Sequence, residues 1–345
     1  MMRLRALPTA VLLLGLIASA PLSGRFAPRM TARPELAVAS PVRSTVQLTL
    51  VSTDGLSMRR LTDDPGAVSG IAWDPGGRRI AFVYDARGSK QIRIIARTGA
   101  ELTTLASLPG DHVSPAWSPD GRRIAFISTR AGGRHVFVMN ADGRGLRQVT
   151  RRGSFRTVSW SPDGRSLAAV GERASGEELD LYVMRPDGRG LRRISHAPML
   201  PRPGMMHPAW SPDGRRLAYV TRVGRAEQEV TIASVDGRSR RRLSTGYAPA
   251  WAPDGRRLAV VVARVGDAQI YVMNPDGTQT RQLLRGQGIF LLPAWAPDGS
   301  AIAFLAIRGG DLAVAVVRPD GSGERRLLST TSDLTGLPLF AWRPR

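Results

Sequence analysis

The chain has no cysteine. That excludes disulfides, thiolate metal sites and a cysteine nucleophile together. Lysine is nearly absent as well: Lys90 is the single one, and every other basic residue is arginine. A skew of that size reads as codon bias before it reads as selection for guanidinium chemistry. Four histidines (His112, His135, His196 and His207) leave little material for a histidine-built metal centre. Aromatics are only 6% of the residues, yet the net charge is +21.

Long apolar runs are scarce too. The one present, Ala6 to Ala20, follows Arg3 and Arg5 and is followed by small residues. This is the three-part pattern of a secretory signal, too short and too interrupted by Pro8 for a transmembrane span. Residues 1–24 are therefore expected to be an export signal or N-terminal anchor, and 25–345 a single domain. Ala18-Ser19-Ala20 has the form of a cleavage site, although Pro21 hinders a peptidase there. Leu22-Ser23-Gly24 has the form of a lipobox, but Arg25 stands where the lipidated cysteine belongs, which excludes lipoprotein anchoring.

What the chain does have is a repeat. Its seven tryptophans (Trp73, Trp117, Trp160, Trp210, Trp251, Trp295 and Trp342) each mark the same place in a phrase close to P-A-W-S-P-D-G-R-R-I-A-F. Successive gaps of 44, 43, 50, 41, 44 and 47 residues, without helical patterning, predict the four-stranded blades of a β-propeller. Each repeat divides into two hairpins. Ser118-Pro119-Asp120-Gly121 closes the first, since proline presets φ and glycine supplies the left-handed residue. Asn140-Ala141-Asp142-Gly143 closes the second, and Pro186-Asp187-Gly188 and Pro275-Asp276-Gly277 repeat that plan. The apolar alternation between turns has period two, as half-buried strands require. Eight Pro-Asp-Gly triplets recur, and turn geometry explains each aspartate without a ligand.

The ends predict how the domain closes. Val46 to Thr62 form a second hairpin with no tryptophan phrase before it, and Pro34 to Ser40 imitate the strand that normally precedes it. Pro338 to Trp342 form an innermost strand with nothing paired after it. One composite blade made from both ends gives an all-β fold of seven blades; six blades with frayed ends is the alternative. Closure of this kind removes exposed sheet edges. The tryptophans are expected to pack between neighbouring sheets rather than to stack on a ligand.

The phrase W-S-P-D-G-x-x-[IL]-A-F, with Y-V-M-x-x-D-G and a closing R-[RQ]-[LIV]-[ST], resembles the repeat of TolB-type propellers over residues 33–345. The resemblance implies an exported bacterial binding protein. The namesake works in the periplasm with an outer-membrane lipoprotein, but it carries an α/β domain for which there is no room here, so a Tol–Pal role is not expected. Similar repeats precede the hydrolase domain of prolyl oligopeptidase-type serine peptidases. No G-x-S-x-G elbow occurs, and no histidine lies beyond His207. Propeller lyases of pectic fragments, also similar in repeat, use a metal held by histidines. His112 and His207 lie ahead of different tryptophans at different offsets, so neither a metal nor another cofactor is expected. The carboxylates of Glu172, Glu177, Glu178 and Asp180 read as a solvated loop rather than a general acid–base pair.

Binding is the function that this reading leaves. The tight turns should share one face, and the longer connections should share the other, around the channel mouth. Two of those connections stand out: His196–His207, with Met199, Arg202, Met205 and Met206, and Arg285–Pro293, with Phe290 and Leu291. These residues, with His207 and Arg285, are the expected contacts for a protein partner in the cell envelope. A charge-driven contact with anionic envelope polysaccharide or lipid is the competing expectation. Nucleic acid is not expected, because no aromatic–basic stacking platform is evident, and the chain is expected to be a monomer.

Overall fold

A computed structural model describes residues 34–42, 45–105, 109–173, 178–195, 207–223, 227–330 and 339–344. The expected export segment, His196, Met199, Arg202, Met205, Met206 and Glu177 lie outside the described residues. Among those described, every regular element is a strand.

The strands fall into quartets, each named here by its tryptophan. The Trp73 quartet is β4 (Ala67–Trp73), β5 (Arg79–Ala86), β6 (Ser89–Ala96) and β7 (Thr103–Thr104), and it follows β1 (Glu35–Val42), β2 (Thr45–Ser52) and β3 (Met58–Arg60) in the chain. The Trp117 quartet is β8 (His112–Trp117), β9 (Arg123–Ser128), β10 (His135–Asn140) and β11 (Arg147–Gln148). The Trp160 quartet is β12 (Phe155–Trp160), β13 (Leu167–Glu172), β14 (Leu179–Met184) and β15 (Arg192–Arg193). The Trp210 quartet is β16 (Ala209–Trp210), β17 (Arg216–Val223), β18 (Glu227–Ser234) and β19 (Arg240–Thr245). The Trp251 quartet is β20 (Tyr247–Trp251), β21 (Leu258–Arg264), β22 (Asp267–Met273) and β23 (Arg281–Gln282). The Trp295 quartet is β24 (Ile289–Trp295), β25 (Ile302–Arg308), β26 (Asp311–Val317) and β27 (Arg325–Thr330). The last strand, β28 (Leu339–Trp342), pairs antiparallel with β1, with Leu36 opposite Trp342 and Ala39 opposite Leu339, so the Trp342 quartet runs β28-β1-β2-β3.

Each quartet is an antiparallel meander with its tryptophan strand at one edge. The Trp251 and Trp295 quartets are joined into one eight-stranded sheet by a single parallel pairing, Ala268 with Ile289. The tryptophan strands of neighbouring quartets pack on one another at six of the seven junctions, β28 on β4, β4 on β8, β8 on β12, β16 on β20, β20 on β24 and β24 on β28, which places these strands innermost in a β-propeller arrangement. Five of the seven fourth strands are only two or three residues long, and most of their residues are exposed. A hydroxyl lengthens their hold: Thr62, Thr150 and Ser195 accept from the amides of Leu48, Val136 and Leu181 at 2.9, 3.0 and 3.0 Å. This is the physical reason for the closing serine or threonine of the repeat.

Three kinds of contact recur between successive quartets. All seven tryptophans are buried, between 2 and 8% exposed. Their indole N–H groups reach back to the preceding tryptophan strand: Trp73 to the Ala341 carbonyl, Trp160 to Ala116 and Trp251 to Ala209, each at 3.1 Å, and Trp342 to Ala294 at 2.8 Å. Trp210 instead uses the Ser159 hydroxyl at 3.2 Å. Those of Trp117 and Trp295 are buried without an acceptor among the described residues.

The second contact is cationic. The second arginine after a first turn lies over the tryptophan of the next quartet: Arg79 over Trp117 and Arg123 over Trp160 at 4.7 Å, Arg216 over Trp251 and Arg257 over Trp295 at 4.8 Å. The third is on the rim, where in six of the seven quartets the first arginine of the closing motif donates to a carbonyl in the outer turn of the next quartet; the Trp73 quartet has Thr103 at that position. Arg59 reaches Thr98 and Arg97, Arg147 reaches Pro186 and Arg192 reaches Val235. Arg241 reaches Asp276, Arg281 reaches Pro319, and Arg325 reaches Thr53. A planar guanidinium serves both contacts, stacking on a ring or forking to a carbonyl, where an ammonium offers only a point charge. Codon bias alone therefore does not explain the arginines at these positions.

Candidate functional site

The strand order assigns the two ends of the domain. First-to-second and third-to-fourth turns lie at one end, and second-to-third and inter-quartet connections lie at the other. The turn end is self-contained. The aspartate of each Pro-Asp-Gly triplet accepts from a backbone amide two residues on, as Asp120 does from Arg122 at 3.0 Å and Asp276 from Thr278 at 2.9 Å. Burial alone would raise the Asp120 carboxyl, but the Ser118 hydroxyl and the Arg122 amide outweigh it and hold the group below its usual range.

At the loop end the acidic cluster is already neutralised. Asp180 is buried and is gripped by Arg173 at 2.7 Å and by the Ser195 hydroxyl at 2.6 Å, with Arg193 at 3.5 Å. Desolvation would raise its pKa; hydrogen bonds from Arg173 and Ser195 and the charges of Arg173 and Arg193 lower it instead. The Asp180 hydrogen bond raises Arg173 in turn, against the desolvation of its guanidinium. Glu178 bridges Arg173 and Arg222, each at 2.7 Å, so the network links the Trp160 and Trp210 quartets. Glu172 pairs with Arg156 at 2.8 Å. The expected solvated acidic loop is thus, at Glu172, Glu178 and Asp180, a set of ion pairs with a buried centre.

The histidines do not converge. His112 is fully buried at the start of β8, with Nδ1 2.9 Å from Ser128 Oγ and its ring edge-on to Phe126 at 5.8 Å. It is a strand residue rather than a loop one. His207 is partly buried just ahead of β16. Among the described residues no group of three or more His, Asp and Glu side chains is placed to hold a metal.

Arg285–Pro293 is the expected binding connection that the structure describes, and it divides sharply. Phe290 is fully buried, edge-on to Phe304 at 5.8 Å with Arg308 stacked 4.7 Å over its ring. This corrects the expectation that Phe290 meets a partner: as the second residue of β24, its alternation points it into the interface with the Trp251 quartet. Leu291, the next residue, is half-buried, and Arg285 is exposed. A residue that the sequence did not single out stands beside them. Val265, fully exposed, tips the hairpin between β21 and β22. Gln269 clips that hairpin to the connection, because its side-chain amide donates to Asp267 Oδ1 at 2.8 Å and to the carbonyls of Gly286 and Gly288 at 3.2 and 3.3 Å. Gln47 holds the carbonyls of Asp64 and Gly66 in the same way in the Trp342 quartet. The clip joins the hairpin that carries Arg264 and Val265 to the connection that carries Arg285. Valine between two arginine-bearing turns has no distinctive sequence pattern; only the clip, made through backbone carbonyls, sets it apart.

The family model of the TolB beta propeller domain matches residues 35–199 and 180–336. Among curated proteins none matches the sequence. Solved structures do. The putative TolB of Agrobacterium tumefaciens is 20% identical, with 73% of this chain and 97% of that one covered at a TM-score of 0.55. An oligogalacturonate lyase in complex with manganese is 15% identical, with 86% of each chain covered at a TM-score of 0.62. A puromycin-hydrolyzing peptidase of Mycobacterium tuberculosis is 15% identical, with 94% of this chain and 57% of that one covered at a TM-score of 0.63. At these identities the likeness establishes the fold alone, and a common fold hosts unrelated functions.

Proposed function

The chain belongs to the TolB β-propeller family, and from that premise we propose that it is an exported, non-enzymatic binding protein that holds a protein partner on the loop face of its channel mouth. We read each quartet as a blade, seven in all, closed into a ring by β28. The indole and arginine contacts that cross between the chain ends, Trp73 with Ala341 and Arg325 with Thr53, support closure. Export rests on the charged start and apolar run of residues 1–24. Capture of Glu172, Glu178 and Asp180 by arginines takes these carboxylates out of acid–base work and favours binding over catalysis.

The observation that carries the reading is the platform at Val265. A fully exposed apolar side chain, at the tip of a hairpin that Gln269 ties at its base to the Arg285 connection and accompanied by exposed Arg264 and Arg285, suits the mixed apolar and cationic contacts of a protein interface. Replacing Val265 and Arg285 together by serine should cut crosslinked capture of a protein from native envelope by roughly tenfold, the effect of losing ~1.4 kcal/mol. Arg122→Ser on the turn face should leave capture unchanged. Capture that ignores the Val265 and Arg285 changes but collapses as salt rises through the physiological range would replace this reading with charge-driven contact to anionic envelope polymer.

A further inference from the structure

On the opposite, turn-bearing face, an open groove of about 670 Å³ lies between the Trp210 and Trp251 quartets. Arg216, Arg240, Arg241 and Arg256 line it, with Asp276 as its one carboxylate. Two of the guanidiniums are already oriented by the fold: Arg216 is stacked on Trp251 and Arg241 is bonded to the Asp276 carbonyl. Arg240 and Arg256 are paired with no carboxylate among the described residues. Asp276 is itself occupied, since Oδ1 accepts from the Thr278 amide and hydroxyl at 2.9 and 2.6 Å.

The repeat supplies an independent argument. Strand register aligns Arg240, opposite Ala233, with Met58, opposite Val51, and with the residue ahead of the rim position in every other quartet, a position held by arginine except in the Trp73 quartet, where it is Thr103. Those residues are Met58, Leu102, Leu146, Leu191, Thr280 and Glu324. Four quartets thus put an apolar side chain at this position, one a threonine, one an acid, and the Trp210 quartet alone an arginine. Ser239 and Ser234 are small neighbours that leave the groove open. A local excess of guanidinium around a space of small-ligand size has one chemical complement, because forked guanidinium donors match the paired oxygens of phosphate and carboxylate groups.

We propose that this groove is a binding site for a polyvalent oxyanion, a ligand carrying two or more phosphate or carboxylate groups within its span. It is separate from the loop-face platform, so the two can fail independently. The test is isothermal titration of the full chain at low ionic strength with inorganic pyrophosphate, repeated with trigalacturonate to separate phosphate from carboxylate sources. The site predicts saturable one-to-one binding of at least one probe, weakened tenfold or more in Arg240→Ser/Arg256→Ser and unchanged in Arg165→Ser, which removes the matching first-turn arginine of the Trp160 quartet. Arg256→Ser alone, at an exposed turn position, should show a smaller loss and keeps the comparison valid should the double variant not fold. Tighter binding of trigalacturonate would assign carboxylate as the ligand group, and tighter binding of pyrophosphate would assign phosphate. Unsaturable binding, equal binding by the groove variants, or no binding of either probe would overturn the proposal.

Discussion

Arginine dominates the chemistry of this chain at the scale of single residues, and its positions are not equivalent. Arg123 lies over Trp160 and Arg216 over Trp251, whereas the exposed Arg165 sits on a turn and stacks on no ring among the described residues. Arg123→Ala and Arg216→Ala should each lower stability by about 0.5–1 kcal/mol, with Arg165→Ala near zero. Urea unfolding midpoints with unchanged slopes would check this. Composition could not distinguish these roles, because the stacking partner is a residue one blade away. The pairing is nonetheless regular: the arginine stands six residues after one tryptophan and covers the next. Phe290 was misread for a related reason. A connection rich in apolar residues gives no sign of where the strand begins, and one position of alternation separates the buried Phe290 from the half-buried Leu291.

Asp180 gives this scale a pH dependence. Its folded-state pKa is depressed, so its contribution is complete above the unfolded carboxylate value and is lost as pH falls through the folded one. Asp180→Asn should therefore melt below the parent near neutral pH, and the gap should narrow below about pH 4. A gap constant from neutral pH down to acid would refute the assignment.

Turns were the most legible elements, because Pro-Asp-Gly encodes its own geometry. Glycines 164 and 188 share the left-handed conformation, with φ of 69° and 86°, but not the surroundings. A Cβ on Gly164 would meet nothing closer than Pro119 at 3.6 Å, whereas on Gly188 it would strike the Val149 carbonyl at 2.3 Å. Gly164→Ala should cost about 1–2 kcal/mol in backbone strain, and Gly188→Ala distinctly more, read from thermal denaturation. Equal costs would mean that the outer turn does not approach the preceding blade as described. The bulges were not legible. Gly70, Ser114, Ala248 and Leu292, each three residues before a tryptophan, have positive φ and interrupt the register of β4, β8, β20 and β24. Only one of the four is glycine, so the sequence carries no cue. The bend arises from how the innermost strands must curve, and such bulges gather at rims where side chains are re-aimed.

At the scale of the whole molecule, period and composition together carried the all-β architecture of four-stranded sheets, and the ends carried the pairing of the last strand with the first. Pairing of the first and last strands was readable because an orphan tryptophan strand and a hairpin lacking one are complementary. The binding surface was less readable, since half of its expected residues lie outside the described segments and the platform at Val265 depends on backbone contacts. The central claim is that the blades form one ring sealed where β28 meets β1. The absence of native cysteine makes a direct test clean. Ala37 and Ala341 are opposed in that pairing, at a spacing where side chains of facing residues meet. Ala37→Cys/Ala341→Cys, oxidised and weighed intact, should contain one intramolecular disulfide and melt several degrees above its reduced form, because the bridge closes a loop of nearly the whole chain. Two free thiols after oxidation, alkylated as readily as those of the single variants, would contradict the closed ring and leave six blades with unpaired ends.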